Sequence, residues 1–538
     1  MRTGLVLLAL LVSFAGRAAD EVMITDIAKA AKASDWLPKA YETKDGIKGT
    51  MLFAPAMLPV RSRIEVPLPV RGKYAISLGI AASKSTAARM LVKLARDPRP
   101  VVIDSNELSS GYGYWNRIVE HTWKAAELDG DSLVLMTLRE KPASLAWIRL
   151  TPVAEIADNA HPVHDILVTN DAYAPADDMD ELLAPIMRLK GSPAKKLHYC
   201  VGNGAFSFVV PSKVALSSAY DPKAAYLDRY AERCAKTYAW CAKDHPRILE
   251  ELADFTHDCG LEFHVSFRTG CFLDHMRPGD GPRAPICADA NACRMWDGTR
   301  VSRYSYARQE VQDFFLSFYR EMLIDKVDGL SLIWTRGMPA VLFEDAFRER
   351  FAKRYGEKLK SPDDPRVVEL RCEILTDYMR RVKALLGKRP LTVFSHMTVA
   401  ACRGFGLDVA RLAREGIVSE FVAVDTLNSP DHANGFDKID FDGYRAACAG
   451  TGAKFRPFMW CGNLAQYRRA LAKGATGPCL WDASAHEWWT WEPMVWAADA
   501  DGSRVEKWLK ENDQTKKVHE LKAEGGFDMS VYPWHNAY

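Results

Sequence analysis

Gly329-Leu330-Ser331-Leu332-Ile333-Trp334 is a short apolar run set between two long helical patterns, Arg308 to Asp325 before it and Arg366 to Leu386 after it. An apolar run of this length between helices reads as a buried strand, and its repetition decides the fold. Upstream lie Ile166 to Thr169 with a helix from Met179 to Lys190, and Leu197 to Val201 with helices over Lys223 to Lys243 and His245 to His257. Leu261 to Phe267 is the third strand, and the run from Gly329 is the fourth, with a further helix starting at Phe347. Downstream come Leu391 to Phe394 with a helix from Leu407 to Glu415, and Phe421 to Val424 with Tyr444 to Ala449. Phe455 to Met459 with Leu464 to Lys473, then Pro478 to Trp481 with Arg504 to Glu511, complete the series. Eight strand–helix units in a row predict a closed (β/α)8 TIM barrel over 161–538. An open doubly wound sheet is the alternative, but no Gly-rich phosphate turn follows the first strand.

Before His164 the pattern is different. Arg63 to Leu68, Tyr74 to Leu78, Met90 to Leu94, Ser132 to Met136 and Leu145 to Leu150 are short strand-like runs. Arg71-Gly72-Lys73 and Asp129-Gly130-Asp131 punctuate them as turns. An antiparallel, jelly-roll-like β-sandwich over 19–160 is expected, either carbohydrate-binding or purely structural.

The first 18 residues read as a signal peptide. Arg2 supplies a basic start, Leu5 to Phe14 an apolar stretch, and Gly16-Arg17-Ala18 small residues for cleavage after Ala18. That stretch is too short for a membrane anchor, so a secreted or periplasmic protein is expected. With 71 basic and 69 acidic side chains the charge is +2, which leaves no footprint for nucleic acid or anionic membrane. The 12 cysteines are an even count, compatible with disulfides after export. Cys287 with Cys293, and Cys234 with Cys241, are candidate pairs, buried free thiols being the other reading for residues such as Cys200 and Cys479.

Barrel enzymes work at the C-terminal ends of their strands. The strand ends and following loops offer Asn170, Asp171, Asn203, Arg268, Trp334, Arg336, His396, Trp460 and Asn463 as substrate-binding residues. Amides and charged groups hold hydroxyls, and indole faces stack on sugar rings. Glycoside hydrolysis needs two carboxyl groups, one to protonate the leaving oxygen and one to attack or to activate water. Asp425 and Asp482 follow apolar strands directly, and Glu344 and Glu487 lie in loops. Each could equally be a helix cap or an ion-pair partner. The loop from Thr269 to Ser302 is long enough to wall a cleft. No cofactor is expected. A metal would need His432, His486 and nearby Asp residues to converge, without an HExxH motif, and no GxSxG turn offers a serine nucleophile.

Asp328-Gly329 to Arg336-Gly337, with Phe343-Glu344 and the run from Phe347 to Tyr355-Gly356, resembles the fourth-strand segment of glycoside hydrolase-like barrels related to family 10. The upstream Trp123 to Leu128 and Trp147 to Leu150 are similar to the sandwich found ahead of such barrels. The resemblance implies a secreted hydrolase of polysaccharide or oligosaccharide. It also implies acidic residues inside strand four and a glutamate ending strand seven. Ser331 and Ile333 stand at the former positions, and strand seven ends without Glu. Two other readings therefore stay open, a non-catalytic carbohydrate-binding barrel and a metal-assisted esterase or deacetylase acting on carbohydrate.

Overall fold

The computed structural model describes residues 20–32, 35–54, 62–82, 89–104, 117–138, 143–156, 165–170, 176–187, 189–192, 194–217, 222, 229–270, 285–424, 438–459, 472–477, 479–481 and 516–522. The eight expected barrel strands are all present. They are β1 (Ile166–Asn170), β2 (Ala194–Asn203), β3 (Glu262–Arg268), β4 (Gly329–Ile333), β5 (Leu391–His396), β6 (Glu420–Val424), β7 (Lys454–Met459) and β8 (Cys479–Leu480). Each pairs in parallel with its neighbours, and β1 pairs with both β2 and β8, which closes the barrel.

Alternation along each strand sorts the side chains into two layers. Leu330 and Leu332 of β4, or Phe263 and Val265 of β3, face the helical shell and share one core with its helices. The other face fills the barrel, where Leu167, Ile333, Phe394, Val422, Phe458 and Trp481 form a second apolar cluster. The period of two thus explains why β4 is apolar on both sides: both faces are buried.

Beneath that cluster the barrel interior is polar. Glu420 accepts from Lys196 Nζ at 3.1 Å, from Thr392 Oγ1 at 3.2 Å and from the Arg456 guanidinium, which also holds Asp165. Burial works against an ionised Asp165, but Arg456 and Lys454 overcome it and pull its carboxyl down to about 2. His198 and His264 stack above this network, with centroids 4.6 Å apart and planes inclined by 13°. A Cβ on Gly329 would lie 2.4 Å from His264 Nδ1, so the missing side chain at the start of β4 makes room for the imidazole pair.

Residues upstream of the barrel form antiparallel sheets around one core, the arrangement a sandwich needs. One sheet runs Val22–Ile24, Trp147–Pro152, Arg71–Ala82, Arg117–Asp129; a second runs Arg63–Pro67, Ser132–Thr137, Arg89–Leu94, Val101–Asp104. A third joins Ala143–Leu145, Lys48–Ala54 and Leu37–Glu42. The second sheet meets the first barrel helix (Met179–Met187): Val102, Met136 and Leu138 cluster with Ala184, and Arg99 pairs with Asp180 at 2.6 Å.

Two expectations are corrected here. The barrel does not own the whole chain to residue 538, because Lys516–Glu520 returns to the first sheet and pairs antiparallel with Arg117–His121. Nor do the proposed cysteine pairs form: Cys241 and Cys293, one member of each, are free thiols, the latter with its Sγ 3.5 Å from the Tyr304 carbonyl. The helices expected over Leu464 to Lys473 and Arg504 to Glu511 lie almost entirely outside the described residues. Among those residues no helix is long and apolar enough to cross a membrane.

Candidate active site at the C-terminal mouth of the barrel

The eight strands end on Asn170, Asn203, Arg268, Ile333, His396, Val424, Met459 and Leu480. This is the face that carries chemistry in closed parallel barrels. Asn203 and Arg268 are register partners on β2 and β3, and the Arg268 carbonyl accepts from Gly204 N at 2.8 Å. Both side chains are buried, as is Asn170 on β1. Two neighbouring strands therefore bring an amide and a guanidinium to one sector of the mouth, whereas Asn170, in register with Tyr199 of the shell core, lies on the face of β1 that Ile166 and Val168 turn to the helices.

His396 closes β5 on the opposite sector and is 8% exposed. Its carbonyl accepts from the Tyr444 hydroxyl, and its ring stacks on Phe405 at 4.7 Å and 28°. Burial lowers its pKa, so the ring is neutral near pH 7 and can accept or donate one proton. Its Nε2 is buried without a hydrogen-bond partner.

Trp334 is not the sugar platform expected of it. The indole is 0% exposed, packed edge-on against Tyr306 at 5.0 Å and Tyr378 at 6.3 Å. The chain turns at Trp334–Arg336 as a single 3-10 turn, which folds the indole back into the helical layer and leaves Arg336 half-buried at the rim.

Glu344 is likewise withdrawn from solvent, at 2% exposure. Its carboxylate accepts from the Ser305 hydroxyl, from Leu342 N at 3.1 Å and from Arg294 N at 3.4 Å. Burial raises its pKa, while the Ser305 and backbone hydrogen bonds partly offset the rise. A catalytic role would require it to abandon these contacts. As it stands it bolts the loop after β4 to a hairpin, Ala292–Arg294 with Arg300–Tyr304, in the long loop after β3. Asp171, Asp425, Trp460, Asn463, Asp482 and Glu487 lie outside the described residues.

The hairpin was missed by reading the loop as an undivided wall. Asp297-Gly298, with Gly298 at φ +89°, is the turn signal that would have found it. Arg303 comes to the mouth on that hairpin, donating Nε to the Met338 carbonyl at 3.2 Å and Nη1 to Ser302 O at 2.7 Å. No group of three His, Cys, Asp or Glu suited to a metal occurs among the described residues.

No family model matches the chain, and no curated protein does. Among solved structures, an α-galactosidase from Thermus thermophilus matches at 11% identity and TM-score 0.36, over 88% of this chain and 94% of that one. A GH31 dextranase from Flavobacterium johnsoniae matches at 10% identity and TM-score 0.34, over 89% of this chain and 61% of its own. The C-terminal CBM6 of a laminarinase from Zobellia galactanivorans covers 25% of this chain and 100% of its own, at 17% identity and TM-score 0.18. Likeness at this level names neither a substrate nor a reaction, because one barrel scaffold hosts many chemistries.

Proposed function

We propose that this chain is an exported glycoside hydrolase, released after Ala18 and acting on a polysaccharide or oligosaccharide at the C-terminal mouth of its barrel. The observation that carries the reading is the side-chain set at the mouth. Asn203, Arg268 and His396 reach it from three different strands, and fixed amide, guanidinium and imidazole groups are what vicinal hydroxyls require. Asp425 and Asp482 are proposed as the working carboxylates, since each directly follows an apolar strand whose end is at the mouth. Glu487 is the reserve. Such a pair would protonate the glycosidic oxygen and deliver water or a carboxylate to the anomeric carbon. The test is release of new reducing ends from a polysaccharide panel by the purified mature protein. Asp425→Asn should cut the rate by roughly 100- to 10,000-fold without changing the melting temperature, the range a positioned acid or base contributes.

A second reading, a barrel that binds carbohydrate without cleaving it, is favoured by one observation. None of the eight barrel strands, as described, ends on a carboxylate, and the Glu344 carboxylate is engaged by Ser305, Leu342 and Arg294. Saturable binding of a glycan with no reducing-end release, in wild type and Asp425→Asn alike, would establish it.

A further inference from the structure

We infer that Phe405, seated on His396 at the mouth of the barrel, is a stacking platform for a neutral pyranose ring. The inference rests on the carbohydrate reading above and deepens it, naming a subsite and the kind of sugar face that fills it.

The direction of His396 sets the platform's place. On β5, Thr392 bonds Glu420 inside the barrel at 3.2 Å and Phe394 belongs to the interior cluster, whereas Leu391 and Val393 share the core of the helical shell. Side chains two apart on a strand point the same way, so His396 faces the barrel axis at the strand's end. Phe405 lies against it, with ring centroids 4.7 Å apart and planes inclined by 28°. Stacking of this kind occupies one face of the phenyl ring. The side chain nevertheless remains 36% exposed. Leu37, Met295 and Phe405 are the exposed large hydrophobic side chains among the described residues, and of these Phe405 is the aromatic one.

The backbone holds the ring in that pose. Phe405 ends the short helix Val399–Gly404, and its N–H donates to Ala401 O at 3.2 Å and Cys402 O at 3.1 Å. Cys402 ties the helix to the strand below, its Sγ lying 3.2 Å from the Tyr444 hydroxyl and 3.7 Å from the His396 carbonyl. Gly406, at φ +93°, then turns the chain against the helix Arg366–Leu386, where a Cβ would lie 3.0 Å from the Arg371 carbonyl oxygen. The aromatic face is therefore presented by a fixed turn and not by a frayed end.

A second observation lies in the partner ring. His396 Nε2 is buried without a hydrogen-bond partner. Buried polar atoms are nearly always satisfied, so one left over beside an exposed aromatic face leaves a place for a hydroxyl from outside the chain. A pyranose answers both features, because its C–H face is flat and apolar while its hydroxyls project from the rim. Phenylalanine carries no charge, which makes the ring face, and not an acidic substituent, the recognised feature. Phe405 thus does what Trp334, turned into the helical layer, cannot.

The test uses the full mature chain in affinity electrophoresis through gels holding dextran, galactomannan or, as a furanose control, inulin. Dextran or galactomannan should retard the wild type more than inulin does. Phe405→Ala should weaken that binding roughly tenfold, as expected for loss of one buried apolar face. Phe405→Leu keeps the bulk without the flat ring and should lose most of the binding too, whereas Phe405→Trp should restore it to within about threefold. A melting curve on each variant separates lost binding from lost fold, and the leucine and tryptophan variants carry the test if the alanine one does not fold. On a polymer that is cleaved, the loss should fall on KM more than on kcat, as for a group that holds substrate and transition state alike. Folded Phe405→Ala or Phe405→Leu binding as tightly as wild type, inulin bound as tightly as the pyranose polymers, or a loss confined to kcat overturns the platform and leaves the carbohydrate reading standing. Retardation by none of the three polymers also overturns the platform; joined to no release of reducing ends from a wider panel, it overturns the carbohydrate reading as well.

Discussion

One buried histidine, His198, governs the acid response at the scale of single residues. His198 is wholly enclosed, with both ring nitrogens lacking a hydrogen-bond partner, and its pKa is held well below 6.5. Burial is the main cause; the stacked His264 ring and the charges of Lys196 and Arg456 add to it. In the unfolded chain this imidazole protonates near 6.5, so below that pH the unfolded state binds a proton that the folded state refuses. Stability from this residue is therefore complete above pH 6.5 and declines as pH falls, at up to about 1.4 kcal/mol per unit. Asp165 acts later: its folded value of about 2 against 3.8 means its contribution is present above 3.8 and lost as pH falls toward 2. We expect His198→Phe to flatten the stability profile between pH 6.5 and 5 while leaving the steeper fall below pH 4. Parallel urea-unfolding profiles for variant and wild type across that upper window would refute the assignment.

At the scale of elements, the loops after β3 and β4 are joined by a buried carboxylate rather than by a disulfide. Removing the Glu344 side chain strands the buried Ser305 hydroxyl and the part-buried amides of Leu342 and Arg294, at roughly 2–4 kcal/mol. Glu344→Ala should lower the unfolding free energy by about that much and speed amide exchange across Ala292–Tyr304. A variant that keeps its stability but loses glycan cleavage would return Glu344 to the catalytic list. The same pair of loops shows what sequence pattern conveys and what it does not. Strand placement was legible because burial on both faces enforces apolar runs such as Phe421 to Val424, and every barrel strand fell within a few residues of its expected bounds. Side-chain direction at strand ends was not. Trp334 and Glu344 occupy positions that point to the mouth in one dimension. A 3-10 turn and a long-range hydrogen bond to Ser305, 39 residues away, turn them inward. Nor could alternation distinguish the polar interior of the barrel from its wall, since His198 and His264 lie within runs that read simply as strand.

For the molecule as a whole, described segments that precede and follow the barrel in sequence are tied to each other. Lys516–Glu520 extends the first upstream sheet at Arg117–Asp129, and the junction is reinforced from the facing turn. Lys44 pairs with Glu520 at 2.5 Å, Lys522 with Glu42 at 2.6 Å, and His519 with Asp45 at 2.7 Å. His519 also packs edge-on against the buried Trp147 at 5.0 Å, so the last strand contributes to the core of the first module as well as to its edge. The exposed ion pairs contribute little individually. The ladder matters more, because without it Arg117–His121 becomes an unpaired edge open to other chains. Among the described residues the upstream module is thus held to the barrel in two places, through Val102, Met136 and Leu138 on Ala184 and through the returning strand Lys516–Glu520. A protein tied at both places should unfold in one transition. Deleting residues 516–538 removes the strand attachment and leaves the helix contact, and two transitions should then separate in calorimetry, the upstream module melting first. Amide exchange at Arg117–His121 should rise at least about tenfold, toward the rates of a frayed edge. A single unshifted transition with unchanged exchange would mean that the strand decorates the sheet without holding it.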